Sequence, residues 1–166
     1  KGGFGARPDR DGINAVASTV SNMSNTPIEI LEMSFPLRIE EYSLVPDSGG
    51  PGKYRGGLGV RRVWRVLENA SYAAVCCERS VTPPFGLDGA QPGGPARIEL
   101  AVATQDTRLL NSKGGFEAPG GSLVTLQAPG SGGYGPPRER DRDVVREDLA
   151  DGYVSAEAAR VVYGVG

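Results

Sequence analysis

Histidine is absent from the 166-residue sequence. Histidine is the commonest acid–base side chain at neutral pH and the commonest ligand of catalytic zinc. Its absence excludes any Ser-His-Asp or Cys-His arrangement within this chain. If a reaction takes place on this protein, other polypeptide must therefore supply part of the active site.

Cysteine is nearly absent too, since Cys76 and Cys77 are the only two. They are neighbours in an apolar run, and successive side chains of a strand point to opposite faces, so we expect small core residues rather than a disulfide. No apolar stretch approaches the ~20 residues that cross a bilayer, and the first residues contain no signal-peptide region. These features predict a cytoplasmic protein that does not bind membranes.

Lysine and tryptophan are also scarce. The 18 basic residues include only three lysines, and the formal net charge is −2. Because the arginines are spread along the chain, they form no basic patch for nucleic acid. Trp64 is the only tryptophan, so there is no aromatic platform of the kind that would favour a sugar-binding module.

Glycine and proline are abundant, with 25 and 13 residues. Together with a hydrophobic share of 39%, they indicate one globular domain with many turns. The expected organisation is an irregular segment over residues 1–26, a β-rich body over 27–128, and a glycine-rich loop with C-terminal helices over 129–166.

Short apolar runs separated by turn residues predict most of the secondary structure. Without helical periodicity between them, they favour a mainly β fold, an antiparallel sandwich or open barrel with long Gly/Pro-rich loops. The predicted strands are 28–33, 37–45, 59–67, 71–77, 97–103, 109–112 and 122–127. Two short C-terminal helices should follow, with Asp141 and Ser155 as N-caps and Gly152 and Gly164 at their ends.

The string Gly130-Ser-Gly-Gly-Tyr-Gly135 fits the dinucleotide pattern G-x-G-x-x-G. Pro136 and Pro137 follow at once, so the helix that should bind the pyrophosphate is missing. A turn that lets another chain or a ligand approach closely is the favoured interpretation, and an anion-binding nest of backbone N–H groups is the alternative. The candidate residues here are Gly130, Gly132, Gly133 and Gly135.

A long loop over residues 46–57 contains four polar candidates, namely Asp47, Ser48, Lys53 and Arg55. Such a mixture on a long loop suits a polar substrate or a phosphate. Ordinary turn chemistry with solvated charges explains the same composition and is the competing interpretation.

A second polar group precedes the first predicted strand and consists of Asn22, Asn25, Thr26 and Glu29. These side chains either brace a loop or orient an amide or carboxylate at a crevice between domains. Asp9, Asp11 and Asp106 give only a weak signal for a metal, because the remaining ligands of a calcium loop are missing. We therefore assign no metal site and no catalytic residue to this chain.

Six segments together resemble the C-terminal region of the hydantoinase B family. They are GGFGARPDRDG (2–12), NMSNTPIEILE (22–32), PDSGGPGKYRGGLGV (46–60), PPFGLDGAQPG (83–93), PGSGGYGPPRER (129–140) and DGYVSAEAARVVYGV (151–165). The resemblance covers nearly the whole chain. The family includes subunits or halves of ATP-dependent N-methylhydantoinases, 5-oxoprolinases, and acetone and acetophenone carboxylases.

The resemblance implies a two-component enzyme that hydrolyses a cyclic amide (a hydantoin, a lactam or 5-oxoproline) or carboxylates a ketone. A hydantoinase A-type partner would use ATP to activate the substrate as a phosphorylated species, so ATP with Mg²⁺ and a divalent metal are expected in the complete enzyme. Because relatives are several times longer, this chain should be a fragment or a split piece that assembles with the upstream part of the subunit. It would then supply scaffold and subunit contacts, and could form part of the active-site wall. A non-catalytic binding or assembly module is the alternative.

Overall fold

The computed structural model describes residues 2–17, 23–74, 78–102 and 106–166. The strands are β1 (Leu37–Leu44), β2 (Val60–Val66), β3 (Ala70–Ala74), β4 (Arg97–Ala101), β5 (Arg108–Leu109), β6 (Gly114–Ala118) and β7 (Leu123–Gln127). The helices are α1 (Ile28–Ser34), a 3₁₀ turn (Pro137–Glu139), α2 (Arg142–Ala150), and α3 (Ala156–Ala158), which continues into a π-helical turn (Ala159–Tyr163). The predicted mainly β fold is confirmed.

Five strands form one antiparallel sheet in the order β1-β2-β7-β4-β5, and β3 pairs with β6 in a separate two-stranded sheet. The larger sheet is open, with β1 and β5 at its edges. Its core contains Val66, Leu100 and Val124, which are fully buried. Ala118 and Phe116 of β6 pack against them, so the small sheet covers one face of the large one. Burial of each such aliphatic side chain contributes about 1.5–3 kcal/mol.

The prediction of a strand over 28–33 is wrong, because this segment is the helix α1. The Leu31 N–H donates to the Pro27 carbonyl at 3.2 Å, and the helix ends at Phe35, whose extended backbone is the conformation that a following proline favours. Apolar residues at 28, 30, 31 and 33 fit both a helix and a partly buried strand, so periodicity alone could not separate the two.

Two further differences concern the region between β4 and β7. The strand expected at 109–112 is the two-residue β5, and the strand β6 was not predicted. Its first residues, Gly114 and Gly115, are poor strand formers, yet they pair with Ala74 and Ala73 of β3. The expected ends of two strands, at 75–77 and 103, lie outside the described residues.

Both predicted C-terminal helices are confirmed. Asp141 accepts a hydrogen bond from the Asp143 N–H at 2.8 Å, and Ser155 accepts one from the Ala158 N–H at 3.1 Å. Gly152 and Gly164 follow the helices with φ of 72° and 75°, the left-handed conformation typical of a glycine after a helix end. Val145, Val154, Ala159, Tyr163 and Val165 join the two helices in a small core of their own.

None of the helices in the described part of the chain is both long and apolar enough to cross a membrane.

Candidate functional site

Four loop segments lie together beside the sheet and form what we call the glycine layer, made of residues 2–14, 46–59, 83–95 and 129–136. The segment 129–136 lies between the other three. The Ala6 N–H donates to the Gly132 carbonyl at 3.0 Å, the Gly50 N–H to the Ser131 carbonyl at 2.7 Å, and the Gly130 N–H to the Gly94 carbonyl at 3.1 Å. Main-chain hydrogen bonds therefore connect segments that are far apart in sequence, and the bond between Ala6 and Gly132 spans more than 100 residues.

Glycine is required in this layer because the backbones approach so closely. A Cβ added to Gly130 would lie 1.7 Å from the Ser48 carbonyl oxygen, and one added to Gly132 would lie 1.7 Å from the Phe85 carbonyl oxygen. A Cβ on Gly133 would lie 2.5 Å from the Gly50 carbonyl oxygen. The contacts thus support the interpretation that the glycines of residues 130–135 allow close approach. The segments that approach them belong to the same chain.

The alternative of an anion-binding nest is not supported by the same geometry. The N–H groups of Ser131, Gly133, Tyr134 and Gly135 each donate to a main-chain carbonyl of a neighbouring segment. Because these N–H groups are already paired within the protein, they do not form a free nest for an anion. The nearest α-helix begins only at Arg142, so a dinucleotide site is not formed here either.

A group of four charged side chains, here called the buried charge network, connects the glycine layer to α2. Arg140 binds Asp11 through both of its terminal nitrogens, at 2.7 and 2.6 Å, and binds Asp148 at 2.7 Å. Arg55 binds Asp148 at 3.3 Å. The side chains of Arg55, Arg140 and Asp148 are all at least 92% buried, and the four formal charges cancel.

Neutral partners surround this network. Asn14 Oδ1 accepts from the Leu58 N–H at 2.9 Å and from Arg55 at 3.4 Å. The Arg55 guanidinium also lies 5.2 Å from the centre of the Tyr153 ring, within the range of a cation–π contact. The buried charge network and its neutral partners thus connect three parts of the chain, namely segment 2–14, segment 46–59 and the C-terminal helices.

The electrostatics favour the charged forms of Asp11 and Arg140. Burial by itself would raise the pKa of Asp11, but the hydrogen bond and charge of Arg140 outweigh it and hold that pKa below its usual value. Burial opposes the charge of Arg140 as well, yet Asp11 and Asp148 raise its pKa. Burial also raises the pKa of Tyr163 to about 12. Because Asp11 and Arg140 stay ionised, they do not exchange a proton near pH 7, and this pair is suited to support rather than to acid–base catalysis.

The four candidates in the loop 46–57 divide into interior and surface residues. Ser48 is buried, donates to the Val45 carbonyl at 2.6 Å and accepts from the Gly59 N–H at 2.9 Å. Arg55 belongs to the buried charge network. Asp47 accepts from the Ser155 N–H at 2.9 Å and lines a cleft of about 420 Å³ beside α3. Lys53 is half exposed, lies 3.9 Å from Glu139 and lines a second cleft of about 470 Å³.

The other polar group does not converge. Asn25 donates to the Tyr42 hydroxyl, which matches the bracing role, whereas Thr26 is exposed and Glu29 is exposed in the first turn of α1. Asn22 lies outside the described residues, as do Cys76 and Cys77. The structure therefore does not bring the three described members of this group together in a pocket.

The weak metal signal has another explanation for two of its three residues. Asp9 pairs with Arg10 at 2.6 Å and Asp11 pairs with Arg140, while Asp106 is exposed on a separate loop. Within residues 2–17, 23–74, 78–102 and 106–166, no three His, Cys, Asp or Glu side chains are grouped closely enough to hold a metal ion.

Sequence reasoning did not identify Arg140, Asp148, Asn14 and Tyr153. A signal existed for Asp148, because it lies three residues after Val145 and so falls on the same face of α2 as a fully buried residue. A carboxylate on an apolar helix face indicates a buried partner. Nothing local distinguishes Arg140 from the other arginines of the run 138–142, so its role depends on the tertiary fold.

Several known proteins are similar to this chain in sequence and in fold. The family model described as hydantoinase B/oxoprolinase matches residues 1–137. The putative D-/L-hydantoinase B component of Pseudomonas sp. (strain NS671) is 35% identical over 99% of this chain and 28% of its own length. The crystal structure of ATP-dependent caprolactamase from Pseudomonas jessenii superposes with a TM-score of 0.84 and 31% identity, over 98% of this chain and 29% of that one. A nucleotide-free acetone carboxylase structure shares the fold, with a TM-score of 0.81 and 22% identity over 98% of this chain and 26% of that one.

The two structural matches show that the overall fold of this chain is shared with these proteins. The chain spans less than a third of the length of these relatives. The family model covers well over half of the chain, and the resemblance seen in the six sequence segments is confirmed. The chain belongs to the hydantoinase B/oxoprolinase family.

Proposed function

We propose that this chain is the scaffold portion of a hydantoinase B-type subunit in an enzyme that uses ATP to open a cyclic amide or to carboxylate a ketone. The observation that supports it most is the match of 98% of the chain to an ATP-dependent caprolactamase structure at 31% identity. The hydantoinase and caprolactamase relatives are each named as one subunit of their enzyme, which supports a separate partner. We take this partner to be hydantoinase A-type and ATP-using.

The chemistry of the described residues fits a supporting role. The side chains of the buried charge network are paired with one another, and the described carboxylates form no metal cluster. The described residues alone therefore do not provide a ligand set for a divalent metal. We propose that any metal, and the ATP with its Mg²⁺, are held by other parts of the assembly.

The activity can be tested on the purified native assembly that contains this chain. The assembly is supplied with ATP and, in separate reactions, with a hydantoin, 5-oxoproline, caprolactam, or acetone with bicarbonate, and ADP and product are measured. We expect ATP-dependent consumption of at least one of these compounds. If none is consumed while the assembly is intact, the proposed activity is wrong.

The scaffold role needs a second measurement with matched variants. Arg55→Ala removes a member of the buried charge network, so we expect less assembly, with unchanged kcat for the assembly that forms. Lys53→Ala changes an exposed side chain of a cleft and should leave both quantities unchanged. A fully assembled Lys53→Ala enzyme with a much lower kcat would instead place this loop in the active-site wall.

A further inference from the structure

Helix α1 is unusual because it has apolar residues on two sides and no buried residue. At roughly 100° per residue, Ile28 and Leu31 lie on one side of the helix, while Ile30 and Met33 lie on the other. A helix that is apolar on more than one side is normally packed between two layers. Within the described part of the chain, the element that α1 contacts most is the strand β1.

The contact with β1 accounts for a single side of α1. Glu32 Oε1 accepts a hydrogen bond from the Ile39 N–H of β1 at 2.7 Å, and Leu31 is half-buried. On the other side, the exposed fractions of Ile30 and Met33 are 53% and 86%. Phe35, just after the helix, is 56% exposed. The solvent-facing side of α1 and the residue after it therefore expose three large apolar side chains to water.

A helix this short also needs support from outside itself. It has seven residues, and Pro27 at its N-cap provides no side-chain cap. Isolated helices below about 12–15 residues are marginal in water, and tertiary packing supplies most helical stability. Contact mainly with one strand, β1, is little packing for such a segment.

The size of the relatives identifies what could cover this face. The chain corresponds to 28% of a hydantoinase subunit and 29% of the caprolactamase chain, so most of a hydantoinase B-type polypeptide is available to pack on it. Glu29, exposed in the first turn, would favour a lysine or arginine at the rim of such a contact. No comparable observation points to a second copy of the chain.

We propose that the outer side of α1, formed by Ile30 and Met33, together with the exposed Phe35 that follows the helix, is the docking surface for the part of the hydantoinase B-type polypeptide outside these 166 residues. The partner surface is apolar, with a basic residue opposite Glu29. The choice of partner rests on the proposed function, whereas the apolar exposed helix does not.

Photo-crosslinking in the native assembly tests the proposal. A benzophenone amino acid replaces Met33, and a control replaces Glu147, which is exposed on α2. We expect position 33 to crosslink to peptides of the hydantoinase B-type polypeptide outside residues 1–166, and position 147 to give no such product. Crosslinks from position 33 to an A-type partner, to a second copy or to residues 1–166, or no crosslink at all, would overturn it.

Substitution gives an independent readout. Because Met33 is 86% exposed, Met33→Lys should leave the chain folded while placing a charge in the contact, and lysine is tolerated in a last helical turn. We expect Met33→Lys to lower incorporation into the assembly about tenfold, and Met33→Leu to preserve it. Equal incorporation of both variants contradicts the docking role. An assembly that crosslinks as expected but never turns over would instead contradict only the proposed function.

Discussion

The five-stranded sheet and the glycine layer lie side by side but are stabilised in different ways. The sheet buries aliphatic side chains, among them Val66, Leu100 and Val124. The glycine layer buries main-chain atoms, since its segments approach too closely for side chains between them. Its interior side chains include the polar Ser48 and the charged Arg55, at 4% exposure each, beside the apolar Leu58.

This difference predicts how each region responds to substitution. In an apolar core, side-chain volume can be exchanged at modest cost when the total is kept. Where main-chain segments of the glycine layer touch, as at Gly130 and Gly132, there is no side-chain volume to exchange, and the buried charges beside them must remain paired. We therefore expect the glycine layer to be the less tolerant of the two regions, and the following changes test that expectation.

The largest effect should come from Asp148→Asn. Asp148 binds both Arg55 and Arg140 in the interior, so removal of its charge leaves two guanidinium groups with only Asp11 as a carboxylate partner. Breaking a buried ion pair from one side costs about 3–5 kcal/mol. We expect the free energy of unfolding, measured by urea denaturation, to fall by about 4 kcal/mol.

Glu147→Gln is the matched control, because Glu147 is the exposed neighbour of Asp148 on α2. It should change the free energy of unfolding by less than about 0.5 kcal/mol. If the two variants were equally stable, the buried charge network would contribute little to the fold.

A somewhat smaller loss should follow Gly130→Ala. The new Cβ would lie 1.7 Å from the Ser48 carbonyl oxygen, so segments 46–59 and 129–136 must separate and lose main-chain hydrogen bonds. We expect a destabilisation of about 3 kcal/mol in the same urea measurement. In Gly5→Ala the nearest atom to the Cβ lies at 3.9 Å, and this variant should be as stable as the parent. Similar stabilities of the two alanine variants would contradict close approach as the reason for glycine at position 130.

The same contrast explains how much of the structure could be predicted from sequence. Strands β1, β2, β4 and β7 lie within a few residues of their predicted positions because alternating or continuous apolar runs determine them locally. The C-terminal helices are predictable because Asp141 and Ser155 act as caps within their own turns. Helix α1 resembles a strand in sequence because its apolar residues lie on two sides.

The candidate site was predictable only in part, for a related reason. The sequence indicates that Gly130 to Gly135 permit close approach, but not which segments approach. The pairing of Asp11 with Arg140 spans 129 residues and leaves no local pattern. Asp47 and Lys53 stand out in the sequence as polar loop residues, but their place at two clefts depends on α3 and on the 3₁₀ turn, which no local feature relates to that loop.

A conservative change in the sheet should lower the free energy of unfolding much less than a single methyl group added in the glycine layer. Leu100 is fully buried, and Leu100→Met keeps nearly the same volume in a more flexible side chain. We expect a loss of about 1 kcal/mol in the free energy of unfolding. Thermal denaturation followed by circular dichroism can check this against Gly130→Ala. A larger loss for Leu100→Met than for Gly130→Ala would reverse the proposed order of tolerance.

The smallest expected effect is the change in stability differences with pH. It should appear for the charged Asp11 in the glycine layer and not for the apolar core of the sheet. Because Arg140 holds the pKa of Asp11 below its unfolded value, the unfolded chain takes up the proton first as the pH falls. The stabilisation from Asp11 is therefore complete above the unfolded aspartate pKa of about 3.9 and is lost as the pH falls through the lower, folded pKa. The stability difference between the parent and Asp11→Asn should thus be constant between about pH 5 and 7 and shrink below about pH 4. Urea denaturation across this range measures it, with the apolar Leu100→Met as the control whose difference should not depend on pH. A difference for Asp11→Asn that stays constant down to the lowest pH would mean that the ion pair with Arg140 is not what the carboxylate contributes.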